Sequence, residues 1–321
     1  MHSTELPTPA FAPVAIVGVA TALPGAGDLD AFAAALEERR DLVGPVPADR
    51  RADAGLGGDD PLAECALLDR VDAFDHAFFG LSLREARQMD PQQRALLELS
   101  CRAIWDGGRS LAQLRGSRTA VVFGAAAEEY STLIDPADQP MVTGLLPGAQ
   151  AGRVAHALDL RGPASTVDTA CSSSLSAVLD ACRRLGAGEV EWALAGGVRL
   201  LPVPPTPTEP GAESIVSPGG RSRSFDAAAD GTGLGEGGAV FLLKLLSRAQ
   251  ADGDPVHAVI IGGAANHDGG RSNGFAAPSA EAQEELLLTA WRSAGCTRTR
   301  SASSRRTAPA RASATPSSSR R

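Results

Sequence analysis

The side chain whose type and context best suit chemistry is Cys171, in the segment VDTACSSSL at residues 167–175. A strand-like stretch at residues 164–168 leads to the cysteine, and a helix-like pattern follows it. Amide groups in the first turn of a helix are unpaired and carry partial positive charge, which favours a thiolate. The same amides stabilise the oxyanion that forms when a thiolate attacks a thioester. The spacing therefore predicts a nucleophile at Cys171.

A second interpretation of Cys171 stays open on residue type alone, because free cysteines are commonly small buried residues selected for packing. The chain has five cysteines, at positions 65, 101, 171, 182 and 296. Their number is odd, and their spacing fits neither a disulfide framework nor a metal site. We therefore predict free thiols, at most one of which carries chemistry, and no bound metal.

The segments around Cys171 alternate between strand and helix patterns, which predicts an α/β fold. The predicted strands cover residues 13–19, 118–123, 164–168, 192–198, 238–243 and 256–261. The predicted helices cover residues 28–39, 83–105 with a break at Asp90-Pro91, 172 onward, 247–251 and 279–294. Residues 44–61 and 202–218 read as loops. The helix after Cys171 should bury one apolar face, formed by Leu175, Val178, Leu179, Cys182 and Leu185.

Length and composition limit the classes of protein to which the chain can belong. Its 321 residues are 43% apolar, enough for one large or two smaller domains, and its net charge is −8. The acidic balance argues against general nucleic-acid binding. The sequence contains neither a long uncharged apolar run nor a secretion pattern at residues 1–13, which predicts a cytoplasmic protein.

Five segments in order resemble β-ketoacyl synthases, the ketosynthase domains of modular polyketide synthases and relatives in fatty-acid assembly. The two most specific strings are DTACSSS at 168–174 and MDPQQR at 89–94. The other matching segments are VAIVGVATALPGAGDLDAF at 14–32, SPGGRSRSFDAAADGTGLGEGGAVFLLKLL at 217–246 and AVIIGGAANHDGGRSNGFAAPSAEAQ at 258–283. The resemblance covers most of residues 14–295.

The resemblance implies a thiolase-like fold with layers α/β/α/β/α, in which the sheets of two similar halves enclose a pair of central helices. Residues 1–255 would form a nearly complete first half, and residues 256–296 the start of a truncated second half. Cys171 matches the nucleophile that accepts an acyl chain from the phosphopantetheine arm of an acyl carrier protein. A malonyl-type thioester then loses carbon dioxide and extends the chain. The family implies a homodimer when the domain is complete, no tightly bound cofactor, and no membrane or nucleic-acid partner.

Two histidines of the family have no counterpart in this chain. They belong to the motifs V-E-A/T-H-G-T-G-T and N-x-G-H, and the five histidines here, at positions 2, 76, 156, 257 and 267, lie in neither. The family uses those histidines to stabilise the enolate that forms on decarboxylation. The resemblance therefore implies impaired condensation. The alternatives are an inactive remnant and a non-catalytic dimer partner, and the retained Cys171 counts against the partner.

Residues 297–321 change composition abruptly, with seven arginines and no acidic or large apolar residue. They predict a disordered tail. Read in a shifted frame from Gly295, the codons of residues 296–321 permit LHPDAVGFVETHGTGTRLGDPVELEA, which contains the missing E-T-H-G-T-G-T histidine motif. We therefore predict that the tail is an out-of-frame translation. The alternative is a natural arginine-rich arm for nucleic acid.

Overall fold

A computed structural model describes residues 11–58, 62–125, 129–135, 142–206, 215–272, 274 and 277–296. The basic tail at 297–321 lies outside the described residues. The strands are β1 (Val14–Ala22), β2 (Thr119–Gly124), β3 (Ala164–Val167), β4 (Trp192–Arg199), β5 (Gly237–Leu245) and β6 (Ala258–Ile260). The helices are α1 (Leu29–Glu37), α2 (Ala48–Asp53), α3 (Leu83–Arg87), α4 (Pro91–Asp106), α5 (Leu111–Leu114), α6 (Val142–Leu145), α7 (Ala149–Leu158), α8 (Ser173–Gly186), α9 (Leu246–Asp252) and α10 (Ala280–Ser293). All six predicted strands and each predicted helix are confirmed.

The strands form one mixed sheet in the order β3-β2-β4-β5-β1-β6. Strands β3, β2 and β4 run parallel to one another, whereas β5 is antiparallel to β4 and to β1. Every residue of β2 is buried, which is typical of a parallel strand covered by helices on both faces of the sheet.

Helices cover the two faces of this sheet and separate two apolar cores. On one face, Phe123 of β2 packs in the cluster that contains Leu96 and Leu97 of α4. On the other face, Val122 packs with Ala177 and Ala181 of α8. Successive residues of a strand point to opposite faces, so this alternation along β2 generates three layers. The predicted α/β architecture is present.

The predicted helix starts are made by side-chain caps. Asp28 accepts a hydrogen bond from the amide of Ala31 at 2.8 Å, and Asp90 accepts one from the amide of Gln92 at 2.7 Å. Pro91 occupies the first turn of α4, where its missing N–H leaves no hydrogen bond unmade. Each cap satisfies an amide that would otherwise have no partner, which explains why helices begin at these residues.

Two predictions about helices were wrong in detail. The expected loop at 44–61 contains the short helix α2. Arg50 anchors this helix through a buried ion pair with Glu236, a contact that the local sequence does not reveal. The buried face of α8 was predicted correctly at Cys182 and Leu185, which are buried, and wrongly at Leu175, which is 74% exposed. Ala177 and Ala181, which the prediction did not include, belong to the buried face. Small residues face the sheet because α8 approaches it closely.

The strand predicted at 256–261 pairs with β1 and extends the same sheet as its sixth strand. The division into a first half at 1–255 and a second half from 256 onward therefore stays a prediction. Within the part of the chain that the structure describes, no helix is both long and apolar enough to cross a bilayer.

Candidate active site

Cys171 lies in a short 3₁₀ turn, Ala170–Ser172, between the end of β3 and the start of α8. The position agrees with the predicted passage from a strand into a helix. The Cys171 side chain is exposed, whereas Cys65, Cys101 and Cys182 are buried. Burial raises the pKa of Cys65 to about 11, and those of Cys101 and Cys182 to about 12. The packing interpretation thus fits these three cysteines and does not fit Cys171.

The turn that carries Cys171 depends on a left-handed residue. Ala170 has a φ of 54°, a conformation that few residues other than glycine adopt. Its amide donates to Oδ1 of Asp168 at 3.0 Å, and its carbonyl accepts from Oγ of Ser173 at 2.7 Å. Ser173 also accepts a hydrogen bond from the amide of Thr169 at 2.9 Å. Local side chains therefore hold the backbone on the amino side of Cys171.

Hydroxyl groups on both sides of Cys171 are joined to each other. The hydroxyl of Ser172 donates to the carbonyl oxygen of Thr169 at 2.9 Å. The Thr169 hydroxyl lies 3.1 Å from that of Ser176, one turn along α8. These contacts tie the 3₁₀ turn to the first turns of the helix. The serine run after the cysteine thus has a structural role that the sequence pattern alone did not indicate.

Two glycines bring the start of α8 against the carboxyl ends of the central strands. A Cβ atom at Gly124 of β2 would lie 2.5 Å from the amide nitrogen of Ser174 and 2.7 Å from the carbonyl carbon of Ser173. A Cβ at Gly197 of β4 would lie 3.1 Å from Cβ of Ser174. A side chain at Gly124 would displace the backbone of the helix. The site is therefore built by a close approach that only glycine permits.

The side chains of three described histidines have polar partners outside this turn. Nδ1 of His76 lies 2.7 Å from the carbonyl oxygen of Leu81, and Nε2 of His257 lies 2.8 Å from Oδ2 of Asp106. His267 accepts a hydrogen bond at Nδ1 from the amide of Gly269. These partners give the three histidines structural roles. Among the described residues, no group of three or more His, Cys, Asp or Glu side chains is placed to hold a metal ion.

The glycine-rich segment at 230–238 contributes Glu236 to a buried ion pair with Arg50 of α2, which the sequence did not reveal. Glu236 and Arg50 form a bidentate pair with distances of 3.0 Å and 2.7 Å, and the side chains of both are at most 5% exposed. The carboxylate of Glu236 also accepts hydrogen bonds from the backbone amides of Leu68 and Leu201, at 2.9 Å and 2.8 Å. The pair joins four segments of the chain just before β5. Its members are far apart in sequence, so no local pattern could have identified them.

Polar residues of the MDPQQR segment lie inside the protein. Asp90, Gln93 and Arg94 are at most 9% exposed. The side-chain Nε2 of Gln93 donates to the carbonyl oxygens of Thr143 and Leu146, at 3.2 Å and 3.3 Å. The segment therefore connects α4 to the region of α6 by interior hydrogen bonds.

Comparison with known proteins agrees with the residues and the geometry. Residues 12–249 match the family described as "Beta-ketoacyl synthase, N-terminal domain". The chain is 45% identical over 286 residues to polyketide synthase ThaG of Burkholderia thailandensis, covering 88% of this chain and 5% of that protein. It is 42% identical over 304 residues to mycoketide-CoA synthase of Mycobacterium tuberculosis, covering 92% of this chain and 7% of that protein.

Solved ketosynthases have the same fold over most of the chain. The ketosynthase from module 6 of the bacillaene synthase of Bacillus subtilis 168 superposes with a TM-score of 0.76 at 32% identity. Ketosynthase twelve of the bacillaene synthase of Bacillus amyloliquefaciens gives a TM-score of 0.78 at 31% identity. Each similarity covers 88% of this chain, and the chain spans 49% and 52% of those structures.

The chain thus spans about half the length of these ketosynthases and less than a tenth of the two polyketide synthases. The six-stranded sheet with helices on both faces is the α/β arrangement of the thiolase-like fold. Fold, family match and relatives agree with the motifs at 89–94 and 168–174. The chain therefore belongs to the β-ketoacyl synthase family, as a ketosynthase domain of the polyketide synthase type.

Proposed function

We propose that this domain acts in polyketide assembly through acyl transfer to Cys171. The thiolate of Cys171 attacks the thioester carbonyl of an acyl chain carried on the phosphopantetheine arm of an acyl carrier protein. A new carbon–sulfur bond forms, the bond to the carrier sulfur breaks, and the released carrier thiolate takes up a proton. This covalent intermediate divides one difficult exchange into two easier steps.

In the complete domain, the second step forms a carbon–carbon bond. A malonyl-type thioester on the carrier protein loses carbon dioxide, and the resulting enolate attacks the acyl carbonyl on Cys171. The Cys171 thiolate leaves, and the product is a β-ketoacyl thioester extended by two carbons. This reaction needs no tightly bound cofactor, because the carrier protein delivers both substrates.

The exposed position of Cys171 in the turn at the start of α8 carries the proposal. A carrier-bound thioester requires access to the sulfur, and Cys171 is exposed. The amino end of the α8 dipole lies beside Cys171, where it would stabilise the oxyanion that forms when the thioester is attacked. The Cys171 segment also resembles the nucleophile segment of the family. Packing contacts alone would not require this combination of features.

The test is acylation of the purified chain by a short acyl thioester of N-acetylcysteamine, followed by mass spectrometry of the intact protein and its peptides. We expect one acyl group on the peptide that contains Cys171, and none on the Cys171→Ala variant. The Cys296→Ala variant is the matched control and should acylate like the original chain. Acylation spread over several cysteines, or unchanged in Cys171→Ala, would contradict the proposal.

The edge strand β3 supports assembly of two copies of the domain. The backbone carbonyls of Pro163 and Val167 accept hydrogen bonds from the amides of Val121 in β2 and of Ala125 just after it, so alternation along the strand directs the amide of Thr166 away from β2. The Oγ of Ser165 and the Oγ1 of Thr166 are buried without a hydrogen-bond partner in the described part of the chain. An unpaired strand edge readily pairs with another strand. We propose a homodimer in which two β3 strands meet.

The dimer is tested by sedimentation of the chain at several concentrations. Thr166→Pro removes the outward amide without affecting the β2 ladder, so it should shift the protein from dimer to monomer. Thr166→Ser keeps the amide and is the matched control. Equal masses for the proline variant and the original chain would exclude β3 as the interface.

A further inference from the structure

The residue before the proposed nucleophile has an unfavourable backbone conformation. Ala170 adopts a φ of 54°, although its side chain would clash less in the right-handed helical or extended regions. A conformation of this kind persists only where the surroundings impose it, and such positions cluster at functional sites. The contacts that impose it on Ala170 therefore also determine where Cys171 lies.

Side chains hold both polar groups of the Ala170 backbone. The Ala170 amide donates a hydrogen bond to Oδ1 of Asp168 at 3.0 Å. The Ala170 carbonyl accepts one from the hydroxyl of Ser173 at 2.7 Å. Ser173 is 4% exposed, and its hydroxyl also accepts the amide of Thr169 at 2.9 Å. Relaxing Ala170 to a right-handed conformation would break both contacts and leave polar groups unpaired next to the helix.

We propose that Asp168 and Ser173 are positioning residues, which hold Ala170 in the left-handed conformation and thereby keep the thiol of Cys171 at the amino end of α8. The inference rests on the proposed function for the role of the thiol. Neither residue needs to touch the substrate. Without either contact, the backbone relaxes and the sulfur moves away from its position at the amino end of α8.

Asp168 gives the sharper test, because its side chain is exposed and its replacement leaves the core intact. Asp168→Ala removes the acceptor, and Asp168→Asn removes the same charge but keeps an oxygen at Oδ1. The measurement is the rate of alkylation of Cys171 by iodoacetamide, followed by peptide mass spectrometry, with Cys296 as an internal reference thiol. We expect the alanine variant to react about tenfold more slowly, the scale set by the left-handed penalty of an L-residue. The asparagine variant should stay within about twofold of the original rate.

Ser173 allows a rescue experiment. Ser173→Ala should slow alkylation of Cys171 by about tenfold, again the scale of the left-handed penalty. Adding Ala170→Gly should restore most of the rate, because glycine adopts the left-handed conformation without a steric cost. A general loss of structure would not be reversed by a glycine in the same turn, and the Cys296 rate would change with it.

The outcomes separate the inference from the proposed function. Equal rates for Asp168→Ala and Asp168→Asn, or the absence of rescue by Ala170→Gly, would overturn the positioning role even if Cys171 accepts acyl groups. If alkylation follows the expected pattern but no thioester acylates Cys171, the positioning role stands and the proposed function fails.

Discussion

Five cysteines with the same thiol group differ in what surrounds their sulfur atoms. Cys101 lies in α4 within the main core, and Cys182 faces the sheet from α8. Burial destabilises a thiolate, which is why the pKa of each is raised to about 12. A raised pKa keeps these thiols protonated at neutral pH and therefore unreactive. Surroundings, and not residue type, single out Cys171.

This difference predicts an order of alkylation. At pH 8, iodoacetamide should modify Cys171 in the folded chain well before Cys65, Cys101 or Cys182. In concentrated urea, all of these cysteines should react at similar rates, because unfolding removes the burial that raises the three pKa values. Peptide mass spectrometry at timed intervals measures both conditions. Modification of Cys182 in the folded chain as fast as Cys171 would contradict the packing described for α8.

A second residue-scale feature is the carboxylate of Asp254, which is 1% exposed and lies between two cations. Nζ of Lys244 is 2.6 Å from Oδ2 of Asp254, and Arg109 pairs with its other oxygen. Nζ of Lys244 also lies 4.1 Å from the centre of the Trp192 ring. Burial opposes the charge on Asp254, but the hydrogen bonds from Arg109 and Lys244 outweigh it and lower the pKa of the carboxyl group.

The lowered pKa predicts that part of the stability depends on pH. Because the folded pKa lies below the unfolded one, Asp254 stabilises the fold above its unfolded pKa of about 3.9, and this contribution is lost as the pH falls through the folded pKa. Asp254→Asn should destabilise the fold by about 3 kcal/mol at pH 7, because the buried Lys244 and the partly buried Arg109 lose a charged partner. It should also reduce the loss of stability below about pH 4.

Urea unfolding between pH 7 and pH 3 measures the effect of Asp254→Asn. The matched control is Asp252→Asn, since Asp252 contacts the same lysine but its side chain is 53% exposed. We expect the control to cost less than about 1 kcal/mol, as exposed ion pairs do. Equal losses for the two variants would show that burial of Asp254 does not set its contribution.

At the scale of elements, the positions of strands and helices follow from local sequence, but their orientation does not. The start of α8 was predicted from its pattern and from the apolar spacing after Ser172. Cys182 and Leu185 of the predicted face are buried, but Leu175 is exposed, and the small residues Ala177 and Ala181 pack against the sheet. Small residues fit there because α8 lies close to the sheet. This close approach depends on Gly124 in β2, which is far from α8 in sequence.

The candidate site shows the same division. The thiol at the passage from β3 to α8 was predicted from residue type and context. The left-handed Ala170 was not, because nothing in an alanine indicates a positive φ. The ion pair of Arg50 with Glu236 was also missed, since it depends on chain segments that meet only in the folded protein. Features of the site that depend on contacts between distant segments therefore cannot be predicted from the local sequence.

The close approach of α8 to the sheet predicts that Gly124 cannot accept a side chain. Gly124→Ala should reduce the free energy of unfolding by about 2 to 3 kcal/mol, the scale of overpacking, and slow alkylation of Cys171, since Cβ would press on the backbone of Ser173 and Ser174. Gly152→Ala is the matched control, because no atom lies within 4 Å of a Cβ at this exposed position in α7. It should raise stability by up to about 1 kcal/mol. Equal unfolding energies for the two variants would contradict the close approach.

At the scale of the whole molecule, this sequence contains the proposed nucleophile but neither of the two histidine motifs that the family resemblance leads us to expect. Acylation of Cys171 requires only the thiol and its turn, whereas decarboxylation creates an enolate that needs electrostatic support. We therefore predict that the chain accepts an acyl group and does not extend it. Incubation with a radiolabelled malonyl carrier protein measures extension directly. An extended β-ketoacyl product would contradict the prediction and assign the histidine role to another residue.

The missing motif has a specific expected origin in the DNA. From Cys296 onward, one shifted reading frame permits the string E-T-H-G-T-G-T together with the G-D-P continuation usual in the family, which a natural arginine-rich arm would have no reason to encode. We therefore predict that resequencing around codon 295 will find an inserted or deleted base. We also predict that the restored reading frame continues to an N-x-G-H motif. An intact frame whose triplets cannot spell E-T-H-G-T-G-T would exclude this origin. Salt-dependent binding of DNA by a peptide with the sequence of residues 297–321 would then favour the nucleic-acid arm.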